Sequence, residues 1–162
     1  MAFSQPIDVR FADLDALGHV NHAVFITYME HARTRWYGEY LAGRPFNDEG
    51  FLIARVEIDY RKPIFLGDAV RVELRCAHVG QSSFALAYRL VRSSDEVVLA
   101  EGQTVQVMFD FASHRPKPIR AQTAAWLRSQ ALGWAPPSGP RAPASARRWW
   151  RSCPEIRPGW WT

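Results

Sequence analysis

The chain is poor in cysteine and has no long apolar run. Its 162 residues include two cysteines, Cys76 and Cys153, which are too few for a disulfide framework and which we interpret as free thiols. No stretch of about 18 apolar residues is present, and residues 1–11 lack the basic and apolar parts of a signal peptide. We therefore expect a cytoplasmic protein without a membrane span, and the chain length fits one domain of ordinary size.

Several motifs of well-known chemistry are also missing. The chain has no P-loop and no GxGxxG string, so no nucleotide cofactor is predicted. It has no GxSxG elbow to mark a serine nucleophile. His31, His78 and His114 are scattered without the spacing of a metal site, and we predict that no metal is bound.

Net positive charge is confined to the end of the chain. Residues 1–133 hold 15 Lys and Arg against 15 Asp and Glu, whereas residues 134–162 hold five Arg against one Glu. The same segment has six of the 11 prolines and five of the seven tryptophans, without any period. We interpret it as a disordered or weakly docked tail, so no nucleic-acid partner is predicted. The alternatives are an arm that binds a membrane surface or RNA, and an accidental extension.

One long amphipathic helix is predicted at about residues 23–40. Apolar and aromatic side chains such as Phe25 and Trp36 recur there at three- and four-residue steps, while charged residues mostly fill the other face. Asn21 is a suitable N-cap, and the Gly43–Pro45 segment ends the helix. Such a helix is long enough to cover a sheet.

Four long strands are predicted after the helix, because the period changes from 3.6 to 2. They lie at residues 52–61, 69–76, 84–90 and 97–109. In the first we place Leu52, Ala54, Val56, Ile58 and Tyr60 on one side, and in the last we place Val105, Val107 and Phe109 together. The connections that suit hairpins are Pro63–Gly67, Gly80–Ser82 and Ser93–Glu96.

A short strand at residues 5–11 and a short helix at residues 121–130 complete the predicted domain. A meander of four strands after one long helix predicts an α+β fold, with the helix packed on one face of the sheet. We expect the domain to cover residues 1–133 and the tail to cover residues 134–162.

The segment Phe11–Arg33 carries the strongest chemical signal, since it leaves a strand, crosses a polar loop and enters the helix. Asp13 and Asp15 lie in that loop. A carboxylate near a helix N-terminus faces a partial positive charge and free N–H donors, so it stays ionised, and the same donors can polarise a carbonyl oxygen. That arrangement suits acyl transfer. A purely structural role, in which both carboxylates cap the loop and the helix, is the alternative.

A set of strings in this order resembles the 4-hydroxybenzoyl-CoA thioesterase-like family of hotdog proteins over about residues 5–130. The strings are Asp13-Leu14-Asp15, Gly18-His19-Val20-Asn21, Glu30-His31-Ala32-Arg33, Asp59-Tyr60-Arg61-Lys62-Pro63 with Gly67-Asp68, Gly80-Gln81-Ser82-Ser83-Phe84 and Arg115-Pro116-Lys117-Pro118-Ile119-Arg120. The resemblance implies a hotdog fold, a curved antiparallel sheet wrapped around a long central helix. It also implies hydrolysis of an acyl- or aroyl-CoA thioester, with no cofactor because coenzyme A is part of the substrate.

The resemblance assigns the catalytic carboxylate to Asp15, as nucleophile or general base. It assigns the polarisation of the thioester carbonyl to a backbone N–H at the start of the helix, near His22. The family often has a second Asn at this position, so helix capping or pocket shape differs here, although a backbone role survives the change. Glu30 is an alternative catalytic carboxylate, with a surface ion pair to Arg33 as the simpler interpretation.

Further candidate residues come from the same segments. We assign substrate contacts to His19, Asn21, Phe25 and Tyr28, although a loop histidine satisfying backbone groups and aromatic residues packed in the core are the ordinary alternatives. The candidates for binding coenzyme A are Arg61, Lys62, Ser82, Ser83, Arg89, Arg115 and Lys117. Plain solvation is the alternative for the charged members of this set.

The resemblance also implies a homodimer or homotetramer with acyl-CoA in a cleft between subunits. Other functions stay open at this point. They are an acyl-carrier-protein thioesterase or a dehydratase of the same fold, and a non-catalytic acyl-CoA binding protein.

Overall fold

The computed structural model describes residues 3–131. The predicted tail at residues 134–162, with Cys153, lies outside the described residues, so both the tail and the domain boundary stay predictions. The described elements are β1 (Phe3–Ile7), α1 (His22–Leu41), β2 (Phe51–Tyr60), β3 (Val70–Val79), β4 (Ser83–Arg92), β5 (Val97–Asp110), β6 (Arg115–Pro116) and α2 (Ala121–Ser129). Neither of these α-helices is long and apolar enough to cross a membrane.

The strands form one antiparallel sheet in the order β1-β3-β4-β5-β2, with β6 paired to the end of β5. The α+β class is confirmed, but the predicted four-strand meander is wrong at its first step. β2 pairs with β5, so residues 61–69 cross the end of the sheet and do not close a hairpin. Alternation along a strand reports which residues share a face and does not report which strand is the neighbour.

The first strand is earlier and shorter than predicted, since β1 ends at Ile7. The Asp13 carboxylate accepts the N–H of Arg10 at 2.9 Å, and the chain turns into a short 3-10 helix over Phe11–Asp13. That turn replaces the predicted end of the strand.

Helix α1 packs its apolar face on the sheet. Met29, Ala32 and Trp36 are at most 2% exposed. The helix approaches β5 at Gly102, where an added Cβ would lie 3.0 Å from the Met29 methyl and 2.9 Å from the Glu57 carbonyl oxygen. A side chain at this position would therefore displace the β2 backbone at Glu57 and force the Met29 side chain to move.

Val105 and Val107 share one face of β5, as predicted, and the buried face of this strand is the other one. Thr104, Gln106 and Met108 are buried beneath the helix, whereas Val105 and Val107 lie half-buried on the opposite face. The polar side chains are tolerated because they are paired: the hydroxyls of Thr104 and Tyr88 lie 3.0 Å apart, and Gln106 bonds to Thr104. Apolar alternation thus grouped the valines of one face correctly, and the buried face is the one that carries Thr104 and Gln106.

A bulge divides β2, with the register shift between Ile53 and Arg55. Leu52 pairs with Val107 on the outward face, while Val56 pairs with Thr104 on the inward face. The prediction that Leu52 and Val56 share one side is therefore wrong, because one inserted residue reverses the alternation.

Candidate active site

Asp15 begins a tight turn between β1 and α1. Its carbonyl accepts the N–H of Gly18 at 3.0 Å, its own N–H donates to the His19 carbonyl at 2.9 Å, and its Oδ1 accepts the N–H of Leu17 at 2.8 Å. Gly18 has φ of +80°, a backbone conformation that favours glycine. The turn fixes the direction of the carboxylate through its own backbone.

The His19 side chain lies within ion-pair distance of this carboxylate. Its Nδ1 lies 3.3 Å from Asp15 Oδ2, and the two side chains are 35% and 24% exposed. One carboxylate oxygen is thus engaged by the turn and the other by the imidazole. Both remain partly open to solvent, so a ligand can reach them.

The start of α1 lies beside this turn. The N–H of Asn21 donates to the Asp13 carbonyl at 2.9 Å, and an antiparallel bridge joins Leu14 to Val20. Asn21 caps the helix as predicted, with its Oδ1 accepting the N–H of Ala23 at 2.9 Å. Among residues 3–131, the N–H of His22 has no acceptor, as is usual for the first residue of a helix.

Two predicted substrate contacts face the core of the single chain. Phe25 is 3% exposed and stands edge-on to Tyr60 with ring centres 5.1 Å apart. Tyr28 is 4% exposed, and its hydroxyl donates to Asp13 Oδ2 at 2.7 Å. Neither side chain lies on an open surface. Packing of these aromatic residues in the core is the alternative that the sequence left open.

Asp13 has an environment unlike that of Asp15. It is 2% exposed, and hydrogen bonds from Arg10 hold the pKa of its carboxyl below the usual range, assisted by the Tyr28 hydroxyl. Burial raises the pKa of the Tyr28 phenol, and the hydrogen bond to Asp13 adds to that shift. Asp13 is therefore a fixed, buried anion within two residues of the candidate catalytic carboxylate.

The candidate coenzyme A residues fall into two groups at opposite ends of the sheet. The first group lies at the end where β2 leaves the sheet, and its members are Arg61, Lys62 and Arg89. The second group lies around the Ser83↔Val107 and Asp110↔Arg115 pairs, and its members are Ser82, Ser83, Arg115 and Lys117. Along β5 the groups are separated by roughly six residues, or about 20 Å.

The first group lies at the end of the sheet that carries the Asp15 turn. Tyr60, next to Arg61, donates its hydroxyl to the carbonyl of His22 at 3.0 Å. Arg61 pairs with Glu101 at 3.1 Å, and Arg89 lies 3.8 Å from Glu73. In the second group, Lys117 Nζ donates to the Asp48 carbonyl at 3.2 Å. One chain therefore does not bring the two groups together.

A cavity of about 470 Å³ lies beside the middle of α1 and the start of β2. Its lining residues are Glu30, Arg33, Thr34, Tyr37, Phe46, Gly50, Phe51, Leu52, Ile53 and Phe111. Glu30 is eight residues beyond His22, which is about 12 Å along a helix. The sequence did not identify this cavity, because its walls come from segments far apart in the chain.

Arg33 is the cationic member of this lining and is nearly buried. Its guanidinium donates to the Tyr88 hydroxyl at 3.4 Å and lies 3.9 Å from Glu30. The ion pair predicted between Glu30 and Arg33 is therefore present, with a distance near the upper limit for an ion pair. Across the described part of the chain, no three His, Cys, Asp or Glu side chains converge as a metal site would require.

Comparison with known proteins places these features in a family. The sequence model of the Thioesterase-like superfamily matches residues 9–127. A 1,4-dihydroxy-2-naphthoyl-CoA hydrolase of Synechococcus elongatus is 28% identical over 129 residues, covering 74% of this chain and 90% of the relative. The acyl-CoA thioester hydrolase YbgC of Escherichia coli is 24% identical over 124 residues, covering 72% of this chain and 89% of the relative.

A solved structure agrees with the sequence matches. A thioesterase of Thermus thermophilus, complexed with coenzyme A and Zn, has a TM-score of 0.70 and 37% identity, over 78% of this chain and 92% of that chain. The family match extends over both the Asp15 turn and the whole long-strand sheet. This chain belongs to the Thioesterase-like superfamily of hotdog-fold thioester hydrolases.

Proposed function

We propose that this protein hydrolyses the thioester bond of an acyl- or aroyl-CoA, with Asp15 as the reacting carboxylate. The observation that carries the proposal is the position of Asp15 on a fixed turn whose chain continues through Val20 and Asn21 into α1, where the His22 N–H has no acceptor in the described part of the chain. A carboxylate and an oriented N–H suffice for this chemistry, because a thioester is already an activated acyl compound.

Two routes fit this geometry. In the first, an Asp15 oxygen attacks the thioester carbon, the C–S bond breaks, and coenzyme A leaves as the thiolate; water then hydrolyses the mixed anhydride and restores the carboxylate. In the second, Asp15 takes a proton from a water that attacks the same carbon, the C–S bond breaks, and the departing coenzyme A thiolate takes up that proton. In both routes the His22 N–H donates to the carbonyl oxygen as negative charge develops on it. His19, 3.3 Å from Asp15, orients the carboxylate.

The proposal includes a homodimer formed through β2. Within residues 3–131 this strand is hydrogen-bonded on one side only, by β5, and Ile53, Val56 and Tyr60 on it are 38%, 39% and 46% exposed. A long, apolar strand with one unpaired edge can form backbone hydrogen bonds with a strand of another chain. A second copy supplies the simplest partner, since two identical strands can pair antiparallel about a two-fold axis.

Such pairing would complete the site. The Phe51 end of β2 borders the cavity, and the Tyr60 end lies at the His22 carbonyl. Antiparallel pairing would bring the cavity of one copy towards the Asp15 turn of the other, and the two groups of candidate coenzyme A residues towards each other. The acyl group would then occupy the cavity of one copy while the partner's Asp15 reacts. A homotetramer would contain two such dimers.

Asp15→Asn tests the proposed chemistry. Asn preserves the size and much of the hydrogen bonding but removes the charge, so we expect turnover of a panel of acyl-CoA substrates, followed by thiol release, to fall by a factor on the order of 100 or more. The matched control is Asp8→Asn, which neutralises an exposed aspartate before the turn and should leave turnover unchanged.

Two results would contradict the assignment. Asp15→Asn retaining more than about a tenth of wild-type turnover would exclude Asp15 as the reacting carboxylate. Loss of turnover in Glu30→Gln, with turnover kept in Asp15→Asn, would assign the reacting carboxylate to Glu30, which lines the cavity. That result would favour the dehydratase-like alternative.

A further inference from the structure

The Asp13 carboxylate joins two elements. It accepts the Arg10 N–H at 2.9 Å and Arg10 Nη2 at 2.7 Å, both from the segment before the turn. It also accepts the Tyr28 hydroxyl at 2.7 Å, from the second turn of α1. The Arg10 side chain is 68% exposed, whereas Tyr28 is 4% exposed. The contact with Tyr28 is therefore the buried, solvent-shielded part of this cluster.

The backbone of Asp13 closes the segment that carries Asp15. The Asp13 carbonyl accepts the Asn21 N–H at 2.9 Å, and two residues further in, the Asp15 N–H donates to the His19 carbonyl at 2.9 Å. Residues 13–21 thus form a small closed hairpin, which we call the Asp15 hairpin. Its first residue is tied by its side chain to Tyr28 and by its backbone to the N-cap of α1.

We infer that Asp13, acting through Tyr28, is a positioning residue that holds the Asp15 hairpin on α1. The Asp15 carboxylate and the His22 N–H can then reach the same carbonyl group. This inference rests on the proposed function. The two reacting groups belong to different elements, and a misplacement of about 1 Å is enough to slow such a reaction strongly. A buried charge-assisted hydrogen bond supplies a rigid connection between those elements.

A role confined to the 3-10 helix at Phe11–Asp13 does not account for the whole cluster. The four hydrogen bonds from Arg10 suffice to cap that helix, because Arg10 lies only three residues before Asp13. The Tyr28 hydroxyl comes from 15 residues away and adds nothing to the cap. It connects the hairpin to the element that supplies the His22 N–H.

Tyr28→Phe separates positioning from folding, since it removes one hydroxyl and leaves the ring in the core. In the full-length protein we expect kcat to fall by about tenfold with KM within about twofold of wild type. Amide hydrogen exchange should accelerate at Asp15 and Asn21. The matched control is Tyr40→Phe, which removes a hydroxyl of the same helix that lies 2.9 Å from Thr123 and should change neither turnover nor exchange in the hairpin.

A second pair of variants grades the effect. Asp13→Asn should lower kcat at least as much as Tyr28→Phe. The double variant should lower kcat by less than the product of the two single losses, because both substitutions break the same contact. Arg10→Met should lower kcat only slightly, since the Arg10 side chain is exposed.

The inference is wrong if folded Tyr28→Phe keeps wild-type kcat, or if its loss appears in KM alone with exchange at Asp15 unchanged. Independent, multiplicative losses in Tyr28→Phe and Asp13→Asn would also overturn it. Failure of the proposed function looks different, because Asp15→Asn would then retain turnover or the wild-type protein would release no thiol from acyl-CoA.

Discussion

At the scale of single residues, two aspartates two positions apart have opposite environments. Asp15 is about a quarter exposed and faces His19 and its own turn, whereas Asp13 is 2% exposed and surrounded by donors from Arg10 and Tyr28. A reacting carboxylate must stay accessible, and a positioning carboxylate must stay fixed. The spacing in sequence is compatible with both roles for either residue, so burial is what separates them.

The lowered pKa of Asp13 predicts an acid-sensitive contribution to stability. The pKa is depressed in the folded chain, mainly by hydrogen bonds from Arg10, so the stabilisation is fully present above the ordinary pKa of an aspartate and is lost as the pH falls through the lowered value. We expect wild type to exceed Asp13→Asn in free energy of unfolding at pH 7, and the difference to shrink steadily from about pH 4 to about pH 2. Urea unfolding across this range measures it, and a difference independent of pH would contradict the prediction.

At the scale of secondary-structure elements, α1 and β2 carry complementary parts of the proposed site. The helix begins beside Asp15 and continues past the cavity, while β2 runs from the cavity back to His22. Leu52 and Ile53, which both line the cavity, precede the bulge between Ile53 and Arg55, and the bulge reverses the alternation of the residues that follow it. An edge strand of this kind shapes a binding surface and a pairing surface together.

Val56→Lys tests the pairing surface. Val56 is 39% exposed on β2 and does not line the cavity, so a lysine there should block strand pairing without altering the cavity wall. We expect light scattering to give the mass of one chain in place of a multimer, and thiol release from acyl-CoA to be lost. Ser4→Lys adds the same charge to the exposed face of β1, at the opposite edge of the sheet, and should change neither property. A monomeric Val56→Lys protein with full turnover would exclude a shared site.

At the scale of the whole molecule, the candidate site residues are concentrated in the part that the family match covers. Residues 9–127 match the superfamily and contain all the candidate site residues, whereas the net charge of the chain comes from residues 134–162. The described helix α2 packs on α1 through an aromatic contact of Trp126 with Tyr40, ring centres 4.2 Å apart. No candidate site residue lies in the segment after it.

Removal of residues 134–162 should therefore leave turnover within a few-fold of the full chain and the assembly unchanged. Thiol release and size-exclusion chromatography of the shortened protein measure the two properties. Loss of turnover in a shortened protein that keeps its helix and sheet signal in circular dichroism would assign the tail to the site or to the assembly.

Local sequence determined the elements whose signals are local. The 3.6-residue period and the Asn21 cap defined α1 to within one residue at each end of its predicted span, and strict alternation located the body of every long strand. The Asp15 turn was recognisable because its Gly18 and its neighbouring strings lie within a short segment. Periodicity is a property of adjacent residues, so one sequence is enough to reveal it.

Only the tertiary structure decided which distant groups meet. Pairing of β2 with β5, the burial of Thr104 and Gln106, the contact of Tyr28 with Asp13 and the separation of the two coenzyme A groups all join segments far apart in the chain. Alternation along a strand carries no record of its partner, and a single bulge reverses the face that a residue occupies. Those arrangements follow from the packing of the whole chain, where a buried polar group is stable if its hydrogen-bond partner arrives from elsewhere.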